Sequence, residues 1–95
     1  MTYERKEKIR KALAAAGRIR DGAELVRKAQ IAADAHNHLS VAIHLMSAYA
    51  AFSEAVEVLE TCEDVPSDII ARLHLRKERV KILAVAAQRK IGEPC

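Results

Sequence analysis

One run of the chain leaves little freedom about the fold. Apolar residues recur at Val41, Leu45, Ala48, Phe52, Ala55, Leu59 and Cys62, in steps of four and three without a break. That spacing puts all seven on one side of an α-helix. A second line, Leu39, Ala42, Met46, Tyr49 and Val56, lies beside the first. Only Ser40, His44, Ser47, Glu54 and Thr61 mark a polar strip. A helix apolar around most of its circumference belongs at the centre of a bundle. No segment alternates apolar and polar residues as a half-buried strand would, so the chain is expected to be all-α.

The flanking segments must supply the cover. A first helix is expected over 3–16, with a thin apolar side (Ile9, Ala12, Leu13, Ala16) and Gly17 as a left-handed stop. Asp21, with Glu24 three residues on, reads as a capping box that opens a second helix over 22–36. A turn follows, in which Asn37 tolerates turn geometry and Ser40 caps the central helix over 40–62. An unbroken helix over 22–62 is the alternative, but at about 60 Å it exceeds what a monomer of this size covers. The last helix is expected over 66–91, with Pro66 in its first turn and Asp68 at its positive end.

The stripe of this last helix is Ile70, Leu73, Lys77, Val80, Ala84, Ala87 and Ile91. Lys77 interrupts it and is expected to carry its ammonium to the rim. Leu75 and Ile82 lie off the stripe and need a second cover, either the first helix or another copy of the chain. The sum is a single domain over 1–95, a small four-helix bundle of αα-hairpins that dimerises through helix faces. The chain has three aromatic residues, so the core must be aliphatic and built on alanine.

Charge is segregated. Residues 1–28 hold nine Lys/Arg against four Asp/Glu, and residues 72–95 hold seven against two. Residues 29–71 hold seven acids and no Lys or Arg. Either the basic ends build a surface for an anionic partner, or they lie beside the acidic middle and neutralise it. A hairpin of the last two helices places Glu57 near Arg72 and Glu54 near Arg76, which favours internal pairing.

The stretch "DAHNHLSVAIH" gathers Asp34, His36, His38 and His44. On an unbroken helix Asp34 and His38 would share a face, a spacing that clips a transition metal. His36 points elsewhere and His44 belongs to the polar strip, so at most two ligands converge unless His74 supplies a third. A turn is the better reading, with Asp34 and His38 as weak metal candidates and no cofactor expected.

No Gly-rich phosphate loop and no nucleophile–base pair is legible, so no enzymatic activity is expected. The window "LSVAIHLMSAYAAF" is short and interrupted for a membrane span. Cys62 and Cys95 follow no ligand spacing and read as free thiols in a reducing cytoplasm. The expected function is a protein–protein interaction module of regulator, inhibitor or chaperone type, of the kind carried by phage and mobile elements. Its candidate binding residues are Arg72, Arg76, Arg79, Lys81, Leu75, Ile82, Glu54 and Glu57, and its expected partners are another protein and a second copy of the chain. Nucleic-acid binding through "RKEKIRK" (5–11), those bases, Arg89 and Lys90 is the alternative. It lacks aromatic residues interleaved for base stacking.

Overall fold

The computed structural model describes residues 2–62 and 64–92. They form three helices, α1 (Tyr3–Asp34), α2 (His38–Glu60) and α3 (Ser67–Gly92). The all-α expectation holds, whereas the count of four helices does not. Cys95 lies outside the described residues, and Cys62 is a free, half-buried thiol.

The first two expected helices are one. Gly17 does not stop α1, and Asp21 and Glu24 sit inside it rather than capping a second helix. The reason is a contact the capping signals do not register. Ala15, Gly22 and Ala29 are the buried residues of α1, spaced by seven. Only a helix that continues through 17–22 keeps all three on one side. A Cβ on Gly22 would stand 2.8 Å from two ring carbons of Phe52, so the missing side chain lets α1 close onto α2. Packing over the whole length of α2 outweighs the roughly 1 kcal/mol that each helical glycine costs.

The expected break after Asp34 is present, with a different cap. His36 adopts φ 57°, the left-handed position that ends a helix. Its N–H donates to the Ala33 carbonyl at 3.0 Å, and the Asn37 N–H donates to Ala32 at 2.9 Å. These two bonds make a Schellman termination. Asn37, not Ser40, then caps α2: its side-chain oxygen accepts from the Ser40 N–H at 3.2 Å. One residue therefore closes α1 and opens α2.

α2 is the axis. Leu45, Ala48, Phe52, Ala55 and Leu59 of its main seam are buried, with Val41 half-buried. The second line is only half right. Ala42 and Val56 are buried, but Leu39 and Met46 are exposed, because α1 and α3 cover α2 from two sides and leave its far side open. α2 has the length and mean hydropathy (1.3) of a membrane-crossing helix; here eight of its residues form core.

Both flanking helices run antiparallel to α2. Arg18 pairs with Glu54 and Gly22 meets Phe52 on one side. On the other, His74 meets Glu60 at 3.0 Å and Gln88 donates to the Met46 sulfur. Lys8 bonds Asp64 at 2.8 Å and ties the start of α1 to the α2–α3 connection. α1 and α3 each pack along α2 yet hardly meet one another. The result is a rod, 60 × 18 × 16 Å, with a radius of gyration of 15.8 Å. A compact chain of this length would have about 12 Å.

Candidate binding site

The open side between α1 and α3 is the notable surface. Because these helices hardly touch, a groove of about 390 Å³ lies between their C-terminal halves, over the N-terminal half of α2. Val26, Ala29 and Ala33 form one wall, Val41 and Leu45 the floor, and Leu83, Ala86 and Ala87 the other wall. Its polar rim is Gln30, His36, His38 and Lys90. The apolar content follows from the seams: each helix buries a stripe against α2, and the residues at the edge of that stripe stay half-covered.

The expected binding residues divide among several surfaces. Arg76 lies over the Phe52 ring, 5.0 Å from its centroid. Phe52 also meets Gly22 of α1, so Arg76 stands on the side of α3 that faces α1. Arg72 and Arg79 share its stripe, four residues before and three after. Lys81 does not belong with them. It lines a shallow depression elsewhere on α3, with Glu78, Ile82, Val85 and Arg89. Leu75 and Ile82 are 63% and 67% exposed, so α1 does not cover them.

The two expected acid–base pairs are corrected. Glu54 bonds Arg18 at 2.8 Å rather than Arg76, and Glu57 and Arg72 form no ion pair with one another. Arg76 and Lys77 instead place their charges over Phe52 and Tyr49, the latter at 5.5 Å. The hairpin of α2 and α3 that suggested those pairs is present; what differs is that aromatic faces and α1 intervene. The basic ends are therefore only partly neutralised by the middle. Arg72, Arg79 and Lys90 enter no ion pair among the described residues.

A second depression, about 450 Å³ between α1 and α2, is lined by Arg18, Lys28, Asp21, Glu24 and Glu54. Its charges are mixed and Arg18–Glu54 is already paired, so it offers less than the apolar groove.

Asp34 ends α1 and His38 starts α2, so the turn removes the four-residue spacing that would have aligned them. Asp34 accepts from Gln30 at 3.2 Å. His74 is engaged with Glu60. Among the described residues no three His, Cys, Asp or Glu side chains converge.

The chain matches no protein-family model, no curated protein and no solved structure.

None of the groove's apolar lining was among the sequence-based candidates; of its residues only Lys90, for nucleic acid, and His36 and His38, for metal, were singled out. One signal was available: Arg72, Arg76, Arg79, Leu83, Ala86 and Lys90 recur at 4-3-4-3-4, a second stripe on α3 beside its core stripe. The α1 lining was hidden by splitting that helix at Gly17.

Proposed function

We propose that this protein is a non-catalytic interaction module, of regulator, inhibitor or chaperone type, working in a reducing cytoplasm. Its groove between α1 and α3 takes a helix of another protein. The observation that carries this is the separation of α1 and α3: two helices pack on a common third and leave an apolar trough where a fourth would complete a bundle. The accessible surface supports it. The chain exposes 6961 Å², against about 5,400 Å² for a compact folded protein of its mass. The excess is larger than the roughly 800 Å² that each partner contributes to a standard protein interface. Helix-in-groove recognition uses such a trough, with anchors at i, i+3, i+4 and i+7.

The test is a labelled amphipathic peptide with a leucine face and a glutamine polar face, titrated into the full chain. Saturable binding is expected, with amide shifts at Val26, Ala33, Leu45 and Leu83. A peptide that fails to bind, or perturbs only distant positions, removes the reading.

Self-association is proposed through a different surface, the uncovered stripe Leu39, Ile43 and Met46 on the far side of α2. Light scattering should then give twice the chain mass, and Ile43→Glu should return it to one chain. An unchanged single-chain mass over a wide concentration range ends that proposal. Nucleic-acid binding has the cations of α3 in its favour, but the rings beside them, Phe52 and Tyr49, are buried and half-buried under Arg76 and Lys77 rather than open for base stacking.

A further inference from the structure

We infer that the helix received by the groove is acidic along its polar flank. This rests on the interaction reading above and adds the chemistry of the partner. The α3 wall is the stripe Arg72, Arg76, Arg79, Leu83, Ala86 and Lys90. Its last three members line the groove, and Arg76 over Phe52 fixes the direction in which the N-terminal part faces. The stripe is thus apolar at Leu83 and Ala86, where it lines the groove, and basic on either side of them, at Arg72, Arg76 and Arg79 and at Lys90.

The facing stripe of α1 runs through Ala33, Gln30 and Val26 and continues back through Ala23, Ile19 and Ala12. It contains no carboxylate. The acids of α1 lie elsewhere: Glu4 and Glu7 are near its start, with Glu7 paired to Arg10, Asp21 and Glu24 border the depression on the other side, and Asp34 is at the terminus. Nothing on that stripe of α1 therefore answers Arg72, Arg79 and Lys90, the members of the α3 stripe with neither an ion pair nor an aromatic ring beneath them among the described residues. A guest helix with leucine-type anchors on one side and glutamates next to them would bury the first and meet the second. The stripe from Arg72 to Lys90 is about 27 Å long, the length of a helix of about 18 residues.

The cations stay near solvent, so charge acts on specificity and approach more than on total affinity. Three rim contacts at less than 1 kcal/mol each give roughly a tenfold preference, weakened by salt.

The experiment uses the full chain and three peptides of about 18 residues. They share one leucine face and carry Glu, Gln or Lys at the flanking positions. Fluorescence anisotropy should rank Glu tightest, about tenfold over Gln, with Lys weakest. The gap should close at high salt. The triple variant R72E/R79E/K90E, checked for unchanged helicity, should lose the preference for the Glu peptide over the Gln peptide and bind the Lys peptide tighter than the Glu peptide. If the Gln peptide fails to bind, the interaction reading itself fails. If it binds and Glu brings no advantage, the inference alone is overturned. Duplex DNA bound with a steep salt dependence that the triple variant abolishes, again without a Glu preference, overturns it in favour of nucleic acid. A second copy found in the groove, excluding every peptide, overturns it in favour of self-assembly.

Discussion

Two glycines of one helix have opposite roles. Gly17 has nothing within 4 Å of where a Cβ would stand, so it gives α1 only backbone freedom. Gly17→Ala should raise stability by about 0.5–1 kcal/mol in urea denaturation. Gly22 faces Phe52, which is buried at 1% exposure and carries Arg76 on its ring. An added Cβ forces this enclosed ring to shift, and Gly22→Ala should cost about 1–2 kcal/mol net of its better helix propensity. Equal effects of the two substitutions would mean that the close approach of α1 to α2 is absent. His36 is a second case of backbone setting residue choice. At φ 57° its Cβ is strained, and His36→Gly should stabilise the fold by about 0.5–1 kcal/mol in the same assay. The Ser53 hydroxyl is buried without a hydrogen-bond partner, so Ser53→Ala should be neutral or stabilising by up to about 1 kcal/mol.

At the scale of the helices, the decisive feature is the continuity of α1 through 17–22. Arg20 is exposed there, inside the helix. Arg20→Pro should cost about 3 kcal/mol or more by removing a backbone bond and clashing with the preceding turn. In the two-helix arrangement that Gly17 and Asp21 suggest, the same proline would sit in a connection and be tolerated. Thermal unfolding separates the two. This segment also shows what was legible and what was not. The core seam of α2 and the stripe of α3 follow from spacing, because burial selects side chains at 3.6-residue intervals, and the break near Asn37 follows from turn residues and from the length an unbroken helix would need. The path through Gly17 and Gly22 does not, because a local stop signal and a tertiary contact compete at one place. Phe52 lies thirty residues from Gly22, and no local pattern links them. The groove was obscured for the same reason, since one of its walls belongs to that helix. The α3 wall was partly visible: Arg72, Arg76 and Arg79 were singled out for charge, while Lys81 was grouped with them although its position turns it away.

For the whole molecule, what matters is which helices never pack. α2 touches both neighbours, and α1 and α3 hardly touch one another. Every sizeable interface therefore joins segments adjacent along the chain, on either side of the Asn37 corner or the 61–66 connection. No step of assembly has to wait for the two ends of the chain to find each other. Loop-closure entropy is small, and the rate should resemble that of helical proteins with local contacts, which reach the native state in microseconds to milliseconds. Stopped-flow or temperature-jump refolding measures it, and a relaxation lasting seconds would contradict the neighbour-only layout. The same layout has a mechanical corollary. Since no sizeable contact spans from the first helix to the last, a guest of larger girth can be admitted by swinging either flank outward on its own hinge, while the opposite hairpin remains intact.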